Sequence, residues 1–310
     1  MTCQPLLDAI AALTPDHLRG DARRIFHGRG GLHPGCEHWA LDLYPPVVLL
    51  TSYQAVDEAE LATLQAALSA RWAAIAPGEP LNLVFQLRDE VHADTRLLCG
   101  SVPDLHVVSE GDARYKVHLL RGRNHGLFLD MAEGRRWVHQ FATEHPGCKV
   151  LNLFAYTCSF SVAALQGGAA HVVNMDMAAG ALGIGKHNHQ LSGVGQGASF
   201  LPHDVFSSWG KLNRLGPFDL VIADPPSYQK GSFVTDKDYA RLMRRLSGLL
   251  MPGGHALLCL NSPKHDTAFL RDGMAAEASD LQFVQRLPNP PVYADAEPER
   301  ALKVLVYRLG

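Results

Sequence analysis

Three acidic residues, each at the end of an apolar run, carry the chemistry this sequence offers. Asp176 closes HVVNMD, Asp204 nearly closes ASFLPHDV, and Asp224 follows FDLVIA and opens Asp-Pro-Pro-Ser-Tyr at 224–228. An acid ending the second strand of an open α/β sheet is placed to accept hydrogen bonds from both ribose hydroxyls of an adenosine-containing cofactor. Pro225 and Pro226 fix the backbone and remove two N–H donors, leaving carbonyl oxygens to accept. Tyr228 beside them can stack on a planar base while Asp224 or the carbonyls take its hydrogens. The turn after the first strand, FAYTCSFS at 154–161, has no glycine, and none lies between Asn152 and Leu165. The G-x-G-x-x-G that admits a pyrophosphate to the backbone is therefore missing. A dinucleotide is disfavoured and a cofactor without phosphates is allowed, which points to S-adenosylmethionine (SAM). Methyl transfer then needs little beyond a nucleophile held in line with the sulfonium.

Structural readings compete at each position. Asp176 and Asp224 are also good helix or turn caps, and Tyr228 can be a plain surface ring. Cys259, inside an apolar strand, reads as a buried inert thiol. Cys158, at a helix start, reads as a small loop filler before a reactive group. Arg114, Lys116, Arg121, Arg123, Arg135 and Arg136 form either a phosphate-contacting stripe or a solvated hairpin diluted by Asp112, Asp130 and Glu133. Arg29, in HGRGGLHPG, reads as a turn residue before an RNA contact. Lys230 and Lys264 sit near the strand ends that should face substrate.

The elements that must position these groups follow from periodicity. LLDAIAALTPDHL and DEAELATLQAALSARWAAIA read as helices; RRIFHGRGG, EHWALDLY, VVLLTSY, LNLVFQLR and LHVVSEG read as strands. This α+β part, 1–110, shows no reaction motif. A hairpin is expected for YKVHLL and HGLFLD around Gly122 to Asn124, leading into the helix MAEGRRWVHQFATEH, so that 111–148 connects the two parts. From Lys149 onward, to residue 310, apolar strands alternate with helices: KVLNLF, HVVNMD, ASFLPHDV, FDLVIAD and HALLCLN, then LQFVQRLP and ALKVLVYRL. That pattern means a doubly wound, mostly parallel sheet covered on both faces, with an antiparallel return at its edge.

Composition sets the outer bounds. The chain has 310 residues, 28 Lys+Arg against 31 Asp+Glu, and 47% hydrophobic residues. Disorder and a uniformly basic nucleic-acid coat are excluded. No apolar run is long enough to span a bilayer, and MTCQPLLDAIAAL reads as an amphipathic helix better than as a signal peptide. The six cysteines lack paired spacing and read as reduced intracellular thiols, which implies a cytoplasmic protein. Neither they nor the sixteen dispersed histidines suggest a metal site.

KVLNLFAYTCSFSVAALQGGAAHVVNMDMAAGAL followed by FDLVIADPPSYQKG resembles the class I SAM-dependent methyltransferases. It is similar in particular to the bacterial large-subunit ribosomal RNA enzymes that form 5-methylcytosine or 7-methylguanine. HGLFLDMAEGRRWV resembles the segment ahead of their catalytic domain. The resemblance covers roughly 110–310 and implies a seven-stranded Rossmann-like methyltransferase sheet. It also implies that Phe128, Asp130 and Arg135 flank the SAM pocket, and that Phe154, Tyr156 and Thr157 form the first cofactor loop. Asp176 would bind the ribose with Met177 beside the adenine, and Asp204 and Val205 would meet the adenine ring. Asp224, Pro225, Pro226 and Tyr228 would border the target base. RNA, ribosomal first, is the implied partner; neither a membrane nor a metal is expected, and a homodimer is admitted. Three positions depart from the pattern: Cys158 stands for Gly, Gly134 for Asn, and Asn261-Ser262 for the nucleophilic Cys of the cytosine-C5 enzymes. Carbon methylation needs a thiolate adduct, so a base nitrogen is the expected target. A non-catalytic RNA-binding protein with a retained cofactor fold, and a methyltransferase of another substrate, remain as alternatives.

Overall fold

The computed structural model describes residues 3–88, 93–226, 228–229 and 233–310. It divides into two compact units, Met1–Asp130 with Pro290–Pro298, and Met131–Asn289 with Glu299–Gly310. The division falls at Asp130 where the sequence reading set residue 110, and a short C-terminal segment returns to the first unit.

In the first unit, α1 (Gln4–Ala11) and α2 (Pro15–Arg19) precede β1 (Arg23–His27), β2 (Trp39–Tyr44), β3 (Val47–Ser52), α3 (Glu58–Ile75), β4 (Asn82–Arg88) and β5 (Ala93–Cys99). The single helix expected for LLDAIAALTPDHL is split at Thr14, whose extended backbone caps α2 ahead of Pro15. The strands form a sheet in order β1-β2-β3-β4-β5, antiparallel except for β3 and β4. That parallel pair needs a crossover, and α3 supplies it. Asp57 caps α3 by accepting from the Ala59 N–H, and Leu61, Leu64, Leu68 and Trp72 bury one helical face.

A separate two-stranded ladder joins β6 (His106–Glu110) to β7 (Ala113–Val117). The hairpin expected around Gly122 is therefore corrected. YKV pairs backward with β6 across the left-handed Gly111, while HGLFLD contributes no strand and the His118 N–H donates to the His125 carbonyl. A second correction concerns the cysteines. Cys3 and Cys36 form a disulfide with Cα atoms 5.5 Å apart, because Leu6 and Ile10 pack α1 into the same core that buries Cys36. Thirty-three residues of separation give the sequence no sign of it. Cys99, Cys148, Cys158 and Cys259 are free thiols.

The second unit runs α4 (Ala132–Glu144), β8 (Lys149–Leu153), α5 (Ser159–Gln166), β9 (His171–Met175), α6 (Ala179–Leu191), β10 (Ala198–Leu201), α7 (Trp209–Leu215), β11 (Phe218–Ala223), a short β12 (Tyr228–Gln229) and β13 (Phe233–Val234), α8 (Thr235–Leu249), β14 (Leu250–Leu260), α9 (Thr267–Glu277), β15 (Leu281–Arg286) and β16 (Lys303–Leu309). Its seven-stranded sheet has the order β10-β9-β8-β11-β14-β16-β15. The first five strands are parallel, and β16 is antiparallel to both neighbours, giving the expected edge return. Consecutive strand residues enter different cores. Leu151, Val221 and Leu258 pack with α8, whereas Val150, Leu220 and Leu257 pack with α4 and α5. Side chains alternate across a pleated sheet, so both faces are covered. The sequence reading did not identify α7 or α9.

Candidate active site at the strand ends

Register brings the candidate residues to one level. Leu153 pairs with Met175 and Ala223, Met175 with Leu201, and Ala223 with Leu258. Phe154, Asp176 and Asp224 thus leave three strands of the parallel sheet together, at the end where such sheets bind ligands.

The turn after β8 is the most constrained part of the site. Phe154, Tyr156 and Cys158 have φ of 58°, 46° and 62°. Three alternate non-glycine residues adopt the left-handed region, at a cost on the order of 1 kcal/mol each. The turn persists because its backbone is tied down. The Tyr156 N–H donates to Asp176 Oδ2 at 2.8 Å, the Cys158 N–H donates to the Ala155 carbonyl at 2.7 Å, and the Asn188 amide donates to the Thr157 carbonyl at 3.0 Å. The other Asp176 oxygen accepts the Ala178 N–H at 2.8 Å. Each carboxylate oxygen still has acceptor capacity, as two ribose hydroxyls require.

Cys158 fills the gap between this turn and α6. It is fully buried, and a Cβ on Gly185 would lie 2.4 Å from its sulfur. Burial, reinforced by the Asp176 charge, pushes the thiol well above its usual range, so the group is inert. Gly134 is also enclosed: a Cβ there would meet Met131 and Phe160 at 3.3 Å.

Below the turn lies a buried polar network that sequence reasoning missed. The Asn152 amide donates to Asn174 Oδ1 at 2.9 Å, and the Asn174 amide donates to Ser161 Oγ at 3.0 Å. Ser161 Oγ lies 2.8 Å from His189 Nε2, whose Nδ1 is 2.7 Å from the Gly185 carbonyl. Burial lowers the His189 pKa and keeps the ring neutral. The visible signal was an asparagine at the same place in two adjacent apolar strands, KVLNL and HVVNM.

The remaining expected residues divide by unit. In the second, Asp204 accepts the Phe206 N–H at 3.1 Å and caps a short 3-10 turn, Val205 is buried in the core, and Met177 is 49% exposed. Phe154 packs edge-on against Phe233 at 5.5 Å. Asp224 and Pro226 are half-buried and Pro225 is buried. The Tyr228 backbone pairs with Val234, but its side chain, with Ser227 and Lys230, lies outside the described residues. Arg135 is buried, which removes it from a solvent-facing basic stripe, and exposed Arg136 pairs with Glu133. In the first unit, Phe128 is exposed and Asp130 is half-buried.

The end of β14 carries a second unanticipated assembly. Buried Lys303 donates to the Ser262 and Glu299 carbonyls at 2.8 and 2.6 Å. Ser262 Oγ lies 2.9 Å from His265 Nδ1, and His265 Nε2 lies 2.7 Å from Asp236 in the first turn of α8. This chain ties the Asn261-Ser262 turn to the helix that follows Asp-Pro-Pro. Among the described residues no group of His, Cys, Asp and Glu could hold a metal ion, and no helix is long and apolar enough to cross a membrane.

A doubly wound sheet with this strand order and an acid closing β9 defines a nucleoside-cofactor fold of the methyltransferase type. Comparison places the chain within it: residues 23–308 match the S-adenosylmethionine-dependent methyltransferase family profile, and the chain belongs to that family. It is 33% identical over 230 residues to the ribosomal RNA large subunit methyltransferase K/L of Psychrobacter sp. (strain PRwf-1), covering 71% of this chain and 27% of that protein. It is 29% identical over 293 residues to the ribosomal RNA large subunit methyltransferase I of Photobacterium profundum, covering 91% and 71%. The chain thus spans from about a quarter to under half of the first curated relatives it matches. A solved structure in complex with SAH aligns with a TM-score of 0.82 at 22% identity, over 100% of this chain and 82% of that one. The SAM-dependent methyltransferase from Agrobacterium tumefaciens aligns with a TM-score of 0.65 at 17% identity, over 94% and 90%.

Proposed function

We propose that this protein transfers a methyl group from SAM to a base nitrogen of RNA, ribosomal RNA first. The observation that carries the cofactor reading is Asp176. Its carboxylate fixes the strained first turn through one oxygen and the start of α6 through the other, and it keeps acceptor capacity for a ribose. When bound, SAM supplies an electrophilic methyl group. Phe154, Tyr156 and Thr157 border its methionine end; Met177, Asp204 and Val205 border the adenine; Arg135 completes the pocket on the second unit.

Asp224, Pro225, Pro226 and Tyr228 receive the target base. Asp224 and the carbonyls ahead of the two prolines accept its N–H groups, which orients the nitrogen lone pair. The nitrogen target follows from the β14 turn, which presents Asn261 and Ser262, while Cys259 is buried within the sheet. The first unit would hold the substrate, and the names of the ribosomal RNA relatives support RNA as its class. RNA places the protein in the cytoplasm; the Cys3 to Cys36 bridge runs against that setting, where thiols are kept reduced.

The test is calorimetry with SAH, followed by methyl incorporation into ribosomal RNA and mass spectrometry of its nucleosides. Asp224→Ala should lower transfer about 100-fold or more with SAH affinity retained. Full turnover in that variant would remove Asp224 from the site.

A further inference from the structure

The first unit contains a cationic corner whose central arginine the sequence reads as a turn residue ahead of an RNA contact. Its centre is Arg29, flanked by Gly28 and Gly30. A Cβ on Gly28 would lie 1.8 Å from the Cys36 carbonyl oxygen, and one on Gly30 would lie 2.2 Å from that of Ala294. Neither position has room for a side chain. The Gly31 N–H bonds back to the Gly28 carbonyl at 2.9 Å, and the Ala296 N–H bonds to the Gly30 carbonyl at 2.7 Å. A fixed backbone therefore projects one exposed arginine.

The Arg29 guanidinium lies 4.2 Å from the centre of the Tyr53 ring, and Arg88, at the end of β4, lies 6.0 Å from the same ring. Arg88 also reaches Asn124 Oδ1 at 3.5 Å. Behind them Arg24 grips both oxygens of Asp42 at 2.5 and 3.0 Å and lies 4.9 Å from the Tyr293 ring. The Asp42 carboxylate is thereby engaged. Among the described residues no carboxylate pairs with Arg29 or Arg88. Asp89 and Glu90 follow in the sequence and lie outside the described residues. Partial burial lowers the Arg88 pKa, and the charges of Arg123, Arg29 and Arg24 lower it further against the opposing Tyr53. His27 beside them is held neutral, its pKa lowered to about 3 by burial and by Arg24 and Arg29.

Converging guanidiniums repel one another unless an anion joins them. A guanidinium lying over an aromatic ring keeps its N–H edges available for a bidentate oxyanion. Two such groups beside one ring match a polynucleotide strand, with its repeated phosphates, better than a single small anion. We propose that Arg29 and Arg88, braced on Tyr53, bind consecutive phosphates of the RNA backbone. This assignment rests on the RNA reading above and adds to it the residues that hold the strand. It also explains how a chain of net charge −3 can hold a polyanion: the positive charge is local.

The test uses the full chain and a labelled single-stranded RNA oligonucleotide, with affinity measured across a salt series. Arg29→Gln with Arg88→Gln should weaken binding at least tenfold. It should also make the slope of log affinity against log salt shallower by about 1.4, which is two phosphate contacts at about 0.7 each on a single strand. Because both side chains reach the surface, SAH affinity by calorimetry should match the parent and verify folding. A parent that binds the RNA, with a variant of equal affinity and slope, overturns the Arg29–Arg88 site and leaves the RNA reading standing. A parent that does not bind the RNA overturns both.

Discussion

Two turns at the same edge of the second unit's sheet are held by different physics. The turn after β8 is fixed by shape: left-handed residues at 154, 156 and 158, backbone hydrogen bonds, and a sulfur pressed against Gly185. The turn after β14 is fixed by ionisable groups: buried Lys303 from behind and the Ser262, His265 and Asp236 chain in front. A turn fixed in the first way fails through loss of a contact or addition of volume.

Substitutions can break or sharpen this contrast. The largest effect should come from Asp176→Ala, which leaves the Tyr156 and Ala178 N–H groups without their acceptor and removes the ribose partner. SAH affinity should fall about 100-fold, roughly 2.7 kcal/mol, by calorimetry; a value near the parent's would mean that the turn holds itself. Gly185→Ala adds volume where there is none. A Cβ 2.4 Å from the Cys158 sulfur and 3.2 Å from the Thr157 backbone should cost about 1–3 kcal/mol in denaturant unfolding. An unchanged midpoint would show that the turn yields, contrary to its proposed rigidity.

The smallest effect should appear at the β14 side and only in acid. Hydrogen bonds from the Thr267 hydroxyl and N–H and from Arg286 lower the Glu299 pKa from 4.5 to about 2. A folded-state pKa below the unfolded one gives a contribution that is complete above pH 4.5 and disappears as pH falls toward 2. Glu299→Gln should therefore flatten the acid limb of a stability profile in that window. An equally steep limb in the variant would mean that Glu299 adds nothing to the hold on this region.

The parallel sheet was legible because each of its strands is a nearly unbroken apolar run separated by helical periodicity, as in KVLNL and FDLVIA. Asp176 and Asp224 stood out because an acid ends such a run. The hairpin at 115–130 was misjudged because turn residues around Gly122 resemble the tight Gly111 turn that the chain uses instead. Helix α9 escaped because it buries few positions, Leu270 and Met274. His265, Asp236 and Lys303 are separated by long stretches of chain, and no local pattern announces that they meet. Arg29 looked like a turn residue because it is one; its stacking on Tyr53 depends on a strand pairing that adjacent letters do not encode.

The return of residues 290–298 to the first unit has a topological consequence. The polypeptide crosses between the units three times, after Asp130, Asn289 and Pro298. Tyr293, Ala294 and Ala296, which complete the surroundings of β1 and the Arg29 loop, are the last part of the first unit to be made. During synthesis the amino-terminal body must wait for its final strap until most of the second sheet has emerged. No single cut of the backbone can yield both halves intact.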